Sequence, residues 1–283
     1  MLSAEKIDQL KSHGYCVLPK FLDESTCKLM LFRARTIVEE FDPSSDKRSY
    51  SFDPSLKSNA QRNDSYFSES LNGVRCFFET DSFGPEGNDF KNKMQSIVKI
   101  GHALHDLDPV FYNYSHSPKI HEIANDLGYI RPLIGQSRYF FRLPGSRKTF
   151  DPHQDSTVLY TKPLSCIALW LALEDAAVDN GCLWVLPGSH RLGLLRRIIK
   201  DQDGQGNLLS LSENTAINND EFIPLEVRAR TLIIFSGELI HKSNRNISQN
   251  SRQAYAMHLI EGADGFCYPQ DNWLQRPGGF NEL

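Results

Sequence analysis

Residues 132–173 read PLIGQSRYFFRLPGSRKTFDPHQDSTVLYTKPLSCIALWLAL, and the fold turns on how they are read. Three short runs, Ile134–Leu143, His153–Tyr160 and Leu164–Leu173, are separated by Gly, Pro and Ser, the punctuation of strands joined by turns. The pattern continues in Cys182–Leu186, Phe222–Val227, Thr231–Phe235, Leu239–Ser243 and Arg252–Ile260, which makes eight strands in all. Eight short strands without intervening helices predict two facing antiparallel sheets, a jelly roll whose mouth can hold a ligand. One connection is long: Gly188–Glu221, rich in Gly, Asn, Asp and Arg, exceeds what a compact domain usually leaves structureless, and it is read as a lid.

Before Pro132 the periodicity is mostly helical. Asp23 can cap a helix running to about Glu40, and Ser117-Pro118 reads as an N-cap followed by proline at the first helical position, with Gly128 closing that helix. Met94, Ile97, Val98 and Leu104 give Lys91–His105 one apolar stripe, which predicts a helix, while Phe41–Asn72, rich in Ser, Asp and Asn, reads as a surface loop. The expected architecture is mainly β with flanking α. It is a single domain over residues 1–283, with a helical N-terminal part (about 1–131), a jelly-roll core, or double-stranded β-helix (about 132–262), and a lid insert (about 188–221).

Composition narrows the function. Hydrophobic residues make up 40% and charged residues 23%, an ordinary globular balance. A net charge of -4 and a pI near 6.1 argue against a nucleic-acid binder, which needs a clustered basic face, and leave a small molecule as the expected partner. No apolar run approaches a membrane span, the first fifteen residues lack a hydrophobic signal core, and the last four, Phe280-Asn-Glu-Leu, are not a Ser-Lys-Leu peroxisomal address. The expected compartment is the cytoplasm. Cys16, Cys27, Cys76, Cys166, Cys182 and Cys267 are dispersed without a C-x-x-C and are read as buried small hydrophobes.

Within 151–157, DPHQDST, positions i and i+2 of a strand share a face, so His153 and Asp155 are expected to project together. His241, on a late strand, supplies a third donor. Two histidines and one carboxylate on one side of an octahedral metal leave three open positions, the arrangement of non-haem Fe(II) oxygenases; zinc hydrolases use the same donors with fewer vacancies. H-x-D alone is weak, because many chains of this length contain one. Arg252 adds weight: it shares parity with Ala254 and Ala256, so its planar fork lies on a face lined by small side chains, suited to the far carboxylate of 2-oxoglutarate. The bland alternative is a strand arginine paired with a nearby acid.

The stretches HQDSTVLYTKPLSCIALWLALEDAAVDNGCLWVLPGSH (153–190) and GELIHKSNRNISQNSRQAYAMHL (237–259) resemble the phytanoyl-CoA hydroxylase family of Fe(II)/2-oxoglutarate dioxygenases. The resemblance runs from HGYCVLPKFL at His13, through KIGHALHDLDPVF at Lys99, to Trp273. It implies His153, Asp155 and His241 as iron ligands, Arg252 as the partner of 2-oxoglutarate, and Lys99, Trp170 and Ser243 as further residues lining the cosubstrate pocket. It also implies O2 as the oxidant, with ascorbate as an optional reductant. Close relatives carry methionine where this chain has Arg138, which puts a cation on a pocket-lining position if the side chain faces inward and suits an anionic substrate. The retained Asp155 favours hydroxylation, since relatives that halogenate lack the carboxylate.

The reading is an Fe(II)- and 2-oxoglutarate-dependent dioxygenase hydroxylating a small molecule. The alternatives are a fatty acyl-CoA 2-hydroxylase, a metal-dependent hydrolase and a non-catalytic binding protein. Arg191, Arg196, Arg197 and Lys200 could meet the phosphates of a CoA ester, although such groups are more often solvated. His190 is read as a turn residue, and His102 and His105 as packing or solvated side chains of the helix.

Overall fold

The computed structural model describes residues 1–42, 65–79, 93–146, 149–212 and 217–283. Helix α1 (Ala4–His13) starts at Ser3, whose hydroxyl accepts from Lys6 N, and stops where Gly14 takes a φ of 84° that glycine adopts without strain. Strand β1 (Tyr15–Leu18) follows, and α2 (Glu24–Glu40) begins at Asp23, whose carboxylate accepts from Thr26 N. Two further helices, α3 (Pro109–Ser115) and α4 (Pro118–Asp126), each open on proline, whose missing N–H would have had no partner there.

The described strands form two large sheets and a separate two-stranded hairpin. In the larger, β1 joins β2 (Val74–Phe78), β3 (Ile97–His102), β4 (Pro132–Arg142), β6 (Ile167–Ala172), β11 (Leu232–Ser236) and β13 (Arg252–Glu261), in the spatial order β1-β11-β6-β13-β4-β3-β2. The smaller sheet orders β10 (Ile223–Leu225), β7 (Leu183–Val185), β12 (His241–Ser243) and β5 (Phe150–His153). Every pairing is antiparallel, and neither sheet closes into a barrel.

Period-two alternation divides the core. On β6 and β13, Leu169, Leu171, Tyr255, Met257 and Leu259 face the helices and pack with Met30, Ala34, Phe111 and Ile123. Ala168, Trp170, Ala172, Ala254 and Ala256 face the second sheet and meet Leu183, Val185, Ile233 and Phe235. Both faces are buried, which explains why residues 164–173 read as one apolar run. The inner face is built largely from alanine, and that leaves room between the sheets.

Three sequence expectations are corrected. The centre of the predicted helix Lys91–His105 is a strand: within the described residues helical turns occur only at its ends, Lys93–Ser96 and the start of Leu104–Leu107, and all six residues of β3 are buried between β2 and β4. A short apolar run buried on both faces has no period that separates strand from helix, and the β-branched Ile97, Val98 and Ile100 favour the sheet. Of the predicted loop Phe41–Asn72, residues 43–64 lie outside the described residues, while Ser65–Ser68 and Glu69–Asn72 are short helical turns that bury Tyr66, Phe67 and Leu71.

The predicted lid is not a bare loop. Its described residues, 188–212 and 217–221, hold a hairpin of β8 (Arg196–Lys200) and β9 (Gly206–Ser210), turning at Asp203-Gly204 with Gly204 at a φ of 78°. Ile198 is fully buried, and Lys200 N donates to Asp271 O at 2.8 Å, so the hairpin is tied to the C-terminal segment. Five cysteines are buried as expected, but Cys267 is exposed. No described helix is long and apolar enough to cross a membrane.

Gly237 joins the two sheets at the base of the site. Its N–H donates to Cys166 O and its carbonyl accepts from Ser156 N. A Cβ there would collide with Ser156 Oγ and lie 2.7 Å from Cys166 Cβ and 2.9 Å from Cys166 O. Gly237→Ala is therefore expected to lower stability by about 1–3 kcal/mol, the usual cost of overpacking, read from the midpoint of denaturant unfolding.

Candidate metal centre and cosubstrate pocket

In the smaller sheet His241 pairs directly with His153, and the two rings stand 4.2 Å apart. His153 Nδ1 is 2.7 Å from Asp151 O, and His241 Nδ1 is 3.0 Å from Leu239 O. A carbonyl oxygen only accepts, so each ring carries its proton on Nδ1 and offers a lone pair at Nε2. Burial, then the neighbouring His241, push His153 down to about 4, and burial lowers His241 as well; both rings are neutral near pH 7, as a metal ligand must be.

Asp155 reaches the same point by a route the sequence reading did not foresee. The expected strand His153–Tyr160 ends at His153, and Asp155 opens a 3-10 turn, Asp155–Thr157. The turn is clamped. Gln154 donates to Gly193 O and Glu238 O and accepts from Leu195 N, while Ser156 Oγ donates to Glu238 Oε1. Asp155 Oδ1 then lies 3.9 Å from His153 Nε2, and Oδ2 lies 3.8 Å from His241 Nε2. One ligand atom from each of the three residues fits within 4.8 Å of the others, the one such His/Cys/Asp/Glu grouping among the described residues. Three converging donors with their lone pairs free fit a divalent metal held on one side, with the remaining positions facing the pocket.

Two further residues grip Asp155. His258 Nε2 is 2.8 Å from Oδ2, and Arg138 Nη2 is 3.3 Å from Oδ1. Burial alone would raise the Asp155 carboxyl, but His258, His241 and Arg138 hold it well below the usual carboxylate range. Sequence reasoning missed His258, although a signal was there: it continues the parity of Arg252, Ala254 and Ala256 along β13. Arg138, undecided from sequence, faces the pocket.

The pocket beside the triad is lined by Arg138, Phe140, Phe150, Trp170, Phe235, Ser243 and Arg252, among others. Arg252 is 3% exposed, its guanidinium carbon sits 5.6 Å from the Trp170 ring centre, and its Nε has no hydrogen-bond partner. A buried N–H facing a pocket without an acceptor suits an incoming carboxylate. Trp170 and Ser243 line the same pocket as Arg252.

Lys99 is not among the residues lining this pocket, where the resemblance put it, nor does it stand exposed on the helix expected over Lys91–His105. It is fully buried on β3, 4.6 and 4.5 Å from the Phe67 and Phe77 ring centres, with Nζ 3.1 Å from His102 Nε2. Ser70 Oγ donates to Phe67 O and so accepts from His102 Nδ1, which leaves His102 Nε2 to accept from Lys99. Burial, and then Arg138, push the Lys99 amine well below its ordinary value. His105 is likewise buried, bonded to Ser137 Oγ, and neither histidine lies on the predicted long helix. His190 Nε2 donates to Lys11 O, a structural bond.

The fold and this site together define a class, the non-haem iron dioxygenases that use 2-oxoglutarate. The family model described as phytanoyl-CoA dioxygenase (PhyH) matches residues 10–254, and the chain belongs to that family. A phytanoyl-CoA dioxygenase of Arabidopsis thaliana is 39% identical over 275 residues, covering 97% of this chain and 94% of the relative. Phytanoyl-CoA dioxygenase domain-containing protein 1 of Rattus norvegicus is 40% identical over 277 residues, covering 97% and 95%. Among solved structures, the epimerase SnoN in complex with Fe3+, alpha ketoglutarate and nogalamycin RO superposes with a TM-score of 0.62 at 13% identity over 98% of this chain and 96% of that one. EctD from S. alaskensis with 2-oxoglutarate and 5-hydroxyectoine gives 0.60 at 18% identity, covering 92% and 76%. At such identities the likeness is one of fold.

Proposed function

We propose that this dioxygenase hydroxylates a small anionic molecule, with Fe(II) held by His153, Asp155 and His241 and 2-oxoglutarate anchored by Arg252 with Ser243 and Trp170. The observation that carries the reading is the pairing, in one pocket, of a two-histidine, one-carboxylate donor set with a buried arginine whose Nε has no partner. Bound there, Fe(II) and 2-oxoglutarate supply oxidative decarboxylation to succinate coupled to hydroxylation of a C–H bond, with O2 as oxidant. The protein's residues position and shield. His153 and His241 present Nε2 because the Asp151 and Leu239 carbonyls hold their protons, and Asp155 is kept anionic by His258 and Arg138. Phe140, Phe150 and Phe235 keep the walls apolar, which limits water at the reacting centre.

The charge lining the pocket favours an anionic substrate. Arg138 and Arg252 face Asp155, the single carboxylate among the described residues lining the pocket, so a bound dication leaves a positive excess even after the two charges of 2-oxoglutarate are added; Lys242 turns its ammonium away, to Asn219. Lys99, buried behind Arg138, is proposed to support the pocket wall through His102 rather than to touch the cosubstrate.

A coenzyme A ester is the second reading, taken from the family's name, and it draws less support. Of the basic residues that would meet its phosphates, Arg197 is committed to Asp271 and Asn272 and Arg191 to Ser12 O, which leaves Arg196 and Lys200 exposed. The test is succinate formation in air from 2-oxoglutarate, with a panel of small carboxylates and acyl-CoA esters. Turnover is expected to require added Fe(II), to stop with a chelator, and to be stimulated by a carboxylate. Product without oxygen uptake would support a metal-dependent hydrolase instead, and no product under any condition a binding protein.

A further inference from the structure

Arg142 is the bulkiest fully buried side chain among the described residues, 1% exposed at the end of β4. It stands directly opposite Arg252 in the β4–β13 ladder and shares the inner face of β4 with Arg138 and Phe140. Arg138 lies at the Asp155 end of the pocket; Arg142 is four residues, roughly 13 Å of strand, further along. From there it crosses to the smaller sheet, where its guanidinium carbon lies 4.6 Å from the Phe150 ring centre and Nη2 donates to Ser243 Oγ at 3.0 Å. Phe150 and Ser243 both line the pocket.

No described carboxylate touches this pair of arginines; Glu79 acts on Arg142 and Glu174 on Arg252 only from a distance. Arg142 Nε and Nη1 and Arg252 Nε are buried without a hydrogen-bond partner, and neither guanidinium makes an ion pair with a described carboxylate. Two like charges buried side by side with unmade hydrogen bonds cost stability unless an anion joins them. The Arg142–Ser243 bond also has a direction. The Ser243 oxygen is occupied as an acceptor, so its own O–H is left to donate, and Ser243 opens onto the pocket.

We propose that Arg142 is a positioning residue for the far carboxylate of 2-oxoglutarate: it turns the Ser243 hydroxyl proton toward that carboxylate and adds a second positive charge beside Arg252. The inference rests on the cosubstrate reading above. Its consequence is selectivity. The site holds a 2-oxo dicarboxylate far better than a 2-oxo monocarboxylate, and Arg142 contributes to that difference without contacting the metal end.

The test uses the full-length Fe(II) protein under anaerobic conditions, following the metal-to-ligand charge-transfer band during titration with 2-oxoglutarate and, separately, with 2-oxobutyrate, which lacks the far carboxylate. Arg142→Met is expected to raise the 2-oxoglutarate dissociation constant about tenfold or more while leaving 2-oxobutyrate and Fe(II) affinities unchanged. Arg142→Lys should recover part of the loss. Ser243→Ala should show the same selective weakening, and Arg142→Met made in the Ser243→Ala background should cost less than in wild type, since the two act in series. Unchanged 2-oxoglutarate affinity in Arg142→Met and Ser243→Ala overturns the proposal, and so does equal weakening of both ligands, which marks a merely structural arginine. A wild-type protein that binds Fe(II) but gives no band with either ligand overturns the cosubstrate reading itself.

Discussion

Asp155→Ala is expected to abolish substrate-dependent succinate formation and to weaken Fe(II) binding by more than about a hundredfold, beyond the 10–100-fold that loss of a ligand's hydrogen-bonding partner typically costs. The substitution removes the only carboxylate among the described residues lining the pocket, and it does so in the presence of Arg138. With the carboxylate gone, the guanidinium faces an incoming dication with no anion between them, so the loss of a ligand is compounded by repulsion in a site shielded from water. His153 and His241 keep their Nδ1 bonds to backbone carbonyls, so the remaining pair of donors stays in place and the effect reports on the carboxylate. Titration with Fe(II), or with Co(II) as a spectroscopic substitute, measures it directly. Metal affinity and turnover at wild-type levels would remove Asp155 from the centre.

The second large effect is expected at Arg252. Arg252→Ala should raise the 2-oxoglutarate dissociation constant by about tenfold to a hundredfold while Fe(II) affinity holds, because a hydrogen bond to a charged group contributes roughly 1.5–3 kcal/mol and the stranded carboxylate adds a desolvation cost. The separation of the two affinities is the diagnostic. Arg252 packs against Trp170, and none of its polar atoms bonds to His153, Asp155 or His241. Arg252→Lys should recover only part of the loss, since one ammonium cannot reproduce a two-pronged contact. If the alanine variant binds 2-oxoglutarate as tightly as wild type in the charge-transfer titration, the guanidinium serves only packing.

His153 and Asp155 show how a right neighbourhood can follow from a wrong geometry. Strand parity placed both on one face; in the fold the strand ends at His153, and Asp155 swings back on a 3-10 turn clamped by Gln154, Ser156 and Gly237. The local sequence cannot distinguish these routes, because the residues that bend the chain there lie up to 84 positions away. Lys99 is the reverse case. The apolar stripe around it was real, but it belonged to a strand covered on both faces, so a cation that a helix would have exposed is fully buried between two phenylalanine rings.

By itself, the sequence determined the features that local chemistry dictates. The helix starts at Asp23 and Ser117-Pro118, seven of the eight strands expected after Pro132, the three candidate metal donors in order and Arg252 on an alanine-lined face all follow from turn residues, caps and periodicity. Tertiary structure decided whatever depends on a partner distant in the chain. It turned Lys91–His105 from helix to strand by placing β3 between β2 and β4, folded a hairpin into the expected lid, directed Arg138 into the pocket, and set His258 against Asp155 and Arg142 against Ser243. The physical reason is common to all of these. A side chain's burial and hydrogen-bond partner are properties of the strand beside it, and in an antiparallel sandwich that strand is chosen by the packing of the whole sheet.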